Sequence, residues 1–144
     1  MVGMDSANIY LWIMNKSELF KKIVYSILVG VIGSVILVVF FTSLMSLGTI
    51  EKLLPWVIGF NAALTGYNFI NKTNNSLKYR RIYAAGSGIL MVAITVVLLN
   101  IITFYLMGGY LIYINITDLI FLFVIGAVLS GFGAILAIKY LNIK

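Results

Sequence analysis

The chain has 144 residues, of which 62% are hydrophobic and only 10% are charged, and its mean hydropathy is +1.12. Because a soluble domain carries about 25% charged residues, this composition excludes a water-soluble globule. The chain contains no Cys and no His, which excludes disulfides, thiolate chemistry, imidazole acid–base catalysis and the usual zinc sites. The few acidic residues are too far apart to form a local carboxylate pair. We therefore expect a non-catalytic protein without a metal or cofactor.

Four charge-free windows predict four transmembrane helices. The windows cover residues 23–50, 53–71, 82–117 and 119–138. Each can hold one span, because crossing a hydrocarbon core of about 30 Å takes about 20 apolar helical residues. We place the spans at 23–45, 53–70, 82–107 and 119–138. Gly108-Gly109 divides the longest window, and Pro55 falls in the first turn of the second span, where its missing N–H costs nothing. The predicted fold class is an all-α membrane protein whose transmembrane domain covers residues 23–138.

The basic residues lie on one side of these spans. Nine of the ten Lys and Arg residues lie on this side, and Lys52 alone lies on the other. Cytoplasmic loops carry an excess of Lys and Arg, so we expect residues 1–22, the central loop and residues 139–144 in the cytoplasm, most simply at a prokaryotic cytoplasmic membrane. The net charge of +6 indicates contact with anionic lipid headgroups rather than nucleic acid.

Two alternatives remain open for residues 1–22. Ile9, Trp12, Ile13 and Phe20 would share one face of a short helix, which is typical of a helix lying on the membrane surface. An unstructured cytoplasmic tail is the other possibility, since the apolar run is short.

The two halves of the chain resemble each other. Residues 20–23 (FKKI) match residues 79–82 (YRRI) at an offset of 59. Residues 57–59 (VIG) recur at 124–126 at an offset of 67, which also places Gly66 on Gly133. This pattern predicts two hairpins related as a parallel repeat about an axis along the membrane normal. Small residues recur at four-residue spacing in every span, which favours close helix packing within the chain or between copies, and we expect an oligomer.

Polar residues concentrate on one face of the second span. Asn61, Thr65 and Asn68 are spaced i, i+4 and i+7 and therefore share a helical face, and Asn71 follows them. Such side chains are costly in hydrocarbon unless they are hydrogen-bonded. They either form hydrogen bonds between helices or line a polar substrate path. No charged side chain lies within a span, which disfavours a proton-coupled or cation-coupled transporter.

The central loop is the second candidate site. Lys72, Lys78, Arg80 and Arg81 lie there beside amide and hydroxyl side chains. This set of donors suits the phosphate or pyrophosphate of a lipid headgroup, to which Arg can bind through two hydrogen bonds. The alternative is that these cations only determine the orientation of the chain.

These features together resemble the GtrA-like family of small four-helix membrane proteins. Residues 20–30 (FKKIVYSILVG) are similar to the aromatic-basic start of that family's first helix, and residues 79–82 to its second. Residues 68–72 (NFINK) are similar to the motif that closes its first hairpin. The residues to which this resemblance carries an expectation are Asn68, Phe69, Asn71, Lys72, Arg80 and Arg81.

The resemblance implies a role in the synthesis of surface polysaccharides or glycoconjugates. Such proteins are thought to help move polyprenyl-phosphate-linked sugars across the membrane beside a glycosyltransferase. The expected partners are thus membrane lipids, polyprenyl-phosphate sugars and a glycosyltransferase or other membrane subunits. The alternative is a structural or accessory subunit of a larger membrane complex, which short loops and small-residue helix faces fit equally well.

Overall fold

The computed structural model describes residues 6–73, 79–106, 108 and 115–141, without the side chains of Ala7, Leu11 and Trp12. All regular structure in these ranges is α-helical, which confirms the all-α part of the predicted fold class. The helices are α1 (Ser6–Thr42), α2 (Leu47–Thr73), α3 (Arg80–Leu106) and α4 (Ile116–Tyr140). Each helix contains the main part of one predicted span.

Three of the helices are long and apolar enough to cross a membrane. They are α1 over Asn8–Thr42, α3 and α4. Helix α2 is as long as α3, at 27 residues, but Asn61, Thr65 and Asn68 lower the hydropathy of its apolar stretch. The structure therefore shows an all-helical chain with three helices of spanning character and a fourth, more polar helix.

Helix α1 continues without a break from Ser6 to Thr42. Its 37 residues make a rod of about 55 Å at a rise of about 1.5 Å per residue, longer than a hydrocarbon core of about 30 Å. Ile9, Ile13 and Phe20 are exposed on its first part, while the side chain of Trp12 lies outside the described residues. Residues 6–22 are thus the N-terminal part of α1, and their place at the membrane surface stays a prediction.

Helix α2 begins earlier than the sequence predicts. The Ser46 carbonyl accepts hydrogen bonds from the N–H groups of Thr49 and Ile50, and the Ser46 and Thr49 hydroxyl oxygens are 3.0 Å apart. These contacts start the helix at Leu47, so the prediction for Pro55 is wrong: it lies in the helix interior. A proline there leaves the Glu51 carbonyl without its helical N–H donor.

The helices alternate in direction. Gly30 packs on Thr65 and Gly33 on Asn61, so α1 and α2 are antiparallel. The Ser130 hydroxyl reaches the Ala84 carbonyl while Gly126 lies against Val92, so α3 and α4 are antiparallel as well.

Helices α2 and α4 are parallel, because Gly59 packs on Ile125 and Ala63 packs on Gly133. Helices α1 and α3 therefore also point the same way. In the described residues α2 and α3 contact every other helix, whereas α1 and α4 do not meet.

The contact between α2 and α4 is reciprocal. A Cβ atom at Gly66 would overlap the backbone carbonyl of Ser130, and one at Gly133 would overlap the carbonyl of Ala63. At the repeat offset of 67, Gly66 corresponds to Gly133 and Ala63 to Ser130. Interchanging the two helices therefore reproduces the contact, as a two-fold axis along the helices requires. This symmetry supports the hypothesis of a parallel repeat.

Candidate lipid-phosphate site and polar helix face

The fold gathers most of the described cations at one end of the bundle. The cluster formed by Phe69, Ala84 and Ala137, with Ile23 packed against it, joins α1, the end of α2, the start of α3 and the end of α4. We call this the basic end; its cations are Lys21, Lys22, Lys72, Arg80, Arg81 and Lys139. Lys78 lies outside the described residues. The charged residues described at the opposite end are Glu51, Lys52 and Asp118.

Lys72 connects the ends of α1 and α2. Its Nζ lies 3.7 Å from the centroid of the Tyr25 ring, which is the geometry of a cation–π interaction. The Lys72 side chain is half-buried and Tyr25 is exposed. The contact therefore places this positive charge at the surface of the bundle, beside α1.

Arg80 and Arg81 lie at the start of α3. The Tyr79 carbonyl accepts the N–H groups of Ile82 and Tyr83, each at 3.1 Å, which begins the helix at this point. Residues 79–82 line a cleft of about 240 Å³. Arg81 is exposed and Arg80 is half-buried, so the Arg81 guanidinium faces the surface where the helix dipole also favours an anion. We call this the cationic cleft.

Asn61, Thr65, Asn68 and Asn71 are the residues predicted to line a polar path. The first two lie inside the bundle. Asn61 is 3% exposed and Thr65 is fully buried. The Asn61 Nδ2 donates to the Val57 carbonyl and the Thr65 hydroxyl donates to the Asn61 carbonyl, both at 2.9 Å. Both bonds stay within α2, so each side chain donates to its own helix rather than to a neighbouring one.

Helix α1 covers this part of the polar face. A Cβ atom at Gly33 would lie 2.5 Å from the Asn61 Oδ1, and one at Gly30 would overlap the Thr65 hydroxyl. The two glycines therefore let α1 approach the polar side chains closely. Asn68 is half-buried and Asn71 is exposed, toward the basic end. The four residues thus run from the bundle interior to the cationic surface.

Sequence reasoning missed the hydrogen bond that connects α3 and α4. The Ser130 hydroxyl donates to the Ala84 carbonyl at 2.6 Å, and the same carbonyl accepts the Ser87 hydroxyl at 2.6 Å. The only sequence signal was the membership of Ser130 in a row of small residues, which indicates close packing but not a bonding partner.

The buried hydroxyls of Ser34 and Thr95 were also missed. Both residues are fully buried, and neither hydroxyl oxygen has a hydrogen-bond partner in the described part of the chain. Gly30 of α1 lies against Met91 of α3, and the two hydroxyls lie four residues further along these parallel helices. The register therefore places Ser34 and Thr95 in the same layer of the bundle.

The described residues include no group of three or more side chains able to hold a metal ion. No family model, curated protein or solved structure matches the chain. The functional conclusion therefore depends on the basic end and the polar face of α2.

Proposed function

We propose that this is an integral membrane protein that binds a lipid phosphate at its basic end. In this role it assists the translocation of polyprenyl-phosphate-linked sugars for surface polysaccharide or glycoconjugate synthesis, without catalysing a reaction. The observation that carries the proposal is that Lys72, Arg80 and Arg81, from two helices, lie at the end of the bundle where the polar face of α2 reaches the surface at Asn71. The resemblance to the GtrA-like family favours the same substrate class.

The proposal places four helices across the membrane. Helix α2 is about 40 Å long at a rise of about 1.5 Å per residue, runs antiparallel to α1 and contacts all the other helices. Its polar residues Asn61 and Thr65 are turned inward, whereas Trp56 and Phe60 are exposed. The surface that α2 presents to lipid is therefore apolar, although its mean hydropathy is lower than that of its neighbours.

The proposed orientation has the basic end and both termini in the cytoplasm, at a prokaryotic cytoplasmic membrane. The excess of cations at this end matches the charge distribution of cytoplasmic loops. An impermeant labelling reagent applied to intact cells should then spare a tag placed after Lys144. Labelling of that tag without cell lysis would contradict the orientation.

The chemistry assigned to the basic end is phosphate recognition. The Arg81 guanidinium is exposed and can form two parallel hydrogen bonds to phosphate oxygens, and Lys72 supplies a second positive charge at the same end of the bundle. Asn71 and Asn68 lead from this surface along α2 and offer amide groups to sugar hydroxyls. Because α1 covers Asn61 and Thr65, movement of a sugar past them requires α1 to move away from α2.

The test is translocation of a short-chain polyprenyl-phosphate sugar in proteoliposomes. The double variant Arg80→Gln/Arg81→Gln should lose transport, because it removes the phosphate ligands without changing the helices. Lys52→Gln is the matched control: it removes one exposed cation from the opposite end and should transport normally. Equal transport by both variants and the unchanged protein would contradict the proposal.

A second experiment tests the polar face. Asn68→Leu should abolish translocation while the melting temperature in detergent changes little, because a half-buried leucine is compatible with the bilayer. The same change at Asn61 should lower melting temperature as well, since that side chain packs on Gly33. If both variants lose transport only in proportion to the fall in their melting temperature, the polar face serves helix packing rather than transport.

One observation favours a second function, that of an accessory subunit. An apolar groove of about 730 Å³ opens between the outer faces of α2 and α4, and a helix of another membrane protein could pack into such a groove by close van der Waals contact. Purification of the native protein in mild detergent distinguishes the two functions. A stoichiometric membrane partner without bound isoprenoid lipid would support the accessory role.

A further inference from the structure

An apolar groove begins where the cationic cleft ends. It has a volume of about 570 Å³, and its walls come mainly from α3. Ile23 of α1 and Phe69 of α2 also line it. Ile82 belongs to both the groove and the cationic cleft, so the two cavities are neighbours along the same helix. We call this cavity the α3 groove.

The α3 groove runs from the basic end into the spanning part of α3. The residues from Ile82 to Leu90 cover about 12 Å at a rise of about 1.5 Å per residue. Two of its lining residues carry hydroxyl groups, Ser87 and the exposed Tyr83, and the Ser87 hydroxyl already donates to the Ala84 carbonyl. The other lining residues are apolar or glycine, so the groove presents mainly hydrocarbon surface.

Gly86 leaves this groove open. A Cβ atom built at Gly86 meets no atom within 4 Å, in contrast to Gly88, where it would overlap the Gly126 carbonyl. Gly86 is therefore not needed for helix packing. Its missing side chain instead provides space beside Ile82 and Leu90.

We propose that the cationic cleft and the α3 groove form one binding site for a single-chain isoprenoid phosphate. The phosphate lies on Arg80 and Arg81, and the first part of the chain follows α3 from Ile82 toward Leu90. Charge complementarity at one end of an apolar groove selects an anionic amphiphile, since a neutral lipid gains nothing from the cations. The choice of an isoprenoid chain rests on the proposed function, whereas the location of the chain follows from the two adjoining cavities.

The test measures binding of geranylgeranyl phosphate to the protein in nanodiscs of neutral lipid. Gly86→Leu places a side chain in the α3 groove and should weaken the affinity at least about tenfold, the effect of losing contact with about two methylene groups. Gly131→Leu is the matched control, because a Cβ atom there also meets no neighbour and the residue lies on α4. The control should bind the probe like the unchanged protein. Gly86→Ala, with a smaller side chain, should give an intermediate loss if Gly86→Leu does not fold.

The outcomes separate this site from the proposed function. If Arg80→Gln/Arg81→Gln weakens binding and neither Gly86 variant does, the phosphate site stands and the chain location is wrong. If the Gly86 variants weaken binding and the arginine variant does not, the joint site is overturned together with the phosphate assignment. Competition by phosphatidylglycerol as effective as by unlabelled geranylgeranyl phosphate would overturn the choice of a single-chain isoprenoid.

Discussion

The close backbone contact between α2 and α4 at Gly66 and Gly133 gives a sharp test of the fold. We consider the substitutions Gly66→Ala and Gly133→Ala. Each new methyl group would overlap a backbone carbonyl, that of Ser130 and that of Ala63, respectively. A side chain could rotate away from such a contact, but backbone cannot, so the helices themselves must separate.

Two opposing effects determine the size of the change. Alanine is favoured over glycine within a helix by about 1 kcal/mol, and forcing a methyl group into a close-packed contact costs about 1–3 kcal/mol, occasionally more. At Gly66 and Gly133 we expect a net loss of stability of up to about 2 kcal/mol. At Gly131, where a Cβ atom meets open space, only the first effect operates, so Gly131→Ala should raise stability by up to about 1 kcal/mol.

The double variant tests the reciprocal geometry. Once one methyl group has separated the helices, the second meets less resistance, so the combined loss should be smaller than the sum of the single losses. The assay is reversible unfolding in mixed micelles, followed by helical circular dichroism, on the three single variants and the Gly66/Gly133 double variant. Stability of Gly66→Ala equal to that of Gly131→Ala, or strict additivity in the double variant, would refute the packing described for α2 and α4.

Three further predictions concern single hydrogen bonds and charges. Ser130→Ala should destabilise the bundle by about 0.6 kcal/mol in the same unfolding assay, because it removes a bond to the Ala84 carbonyl of another helix; an unchanged midpoint would argue against that bond. Thr95→Val should leave stability unchanged or raise it by about 1 kcal/mol, because valine has a similar volume but lacks the buried hydroxyl that has no hydrogen-bond partner. A marked loss of stability would mean that this hydroxyl is hydrogen-bonded. Tyr25→Leu should lower stability by about 0.5–1 kcal/mol by removing the cation–π contact with Lys72, and a loss that persists in the Lys72→Met background would show that the contact is not its cause.

The sequence predicted the helical class and the approximate position of each helix because charges are rare and their spacing marks the apolar segments. It could not predict where α2 begins, because the start depends on a local hydrogen-bonded turn at Ser46 rather than on hydropathy. For the same reason the sequence places Pro55 in the first turn of the second span, whereas it lies in the interior of α2. Partners of buried hydroxyls such as Ser130 were also beyond prediction, since they depend on the register between helices distant in sequence.

The repeat predicted part of the packing but not the whole arrangement. At an offset of 67, Asn61 corresponds to Val128, yet Asn61 is 3% exposed and Val128 is 63% exposed. Helix α1 covers this face of α2, whereas Val128 stays exposed although α3, the counterpart of α1 in the repeat, packs on α4. A polar side chain at position 128 would face hydrocarbon, so only the covered helix can carry the polar face. The hypothesis of a duplication thus accounts for the shared contact between α2 and α4, and the covering of α2 by α1 accounts for their different composition.

The central claim is that the basic end binds the phosphate of an isoprenoid lipid, and native mass spectrometry tests it most directly. The unchanged protein, Arg80→Gln/Arg81→Gln and Lys52→Gln would each be purified from the same membranes in mild detergent, and the bound polyprenyl phosphate counted per chain. We expect the unchanged protein and Lys52→Gln to retain the lipid and the arginine variant to lose it. Equal retention by all three proteins, or its absence from the unchanged protein, would contradict the claim.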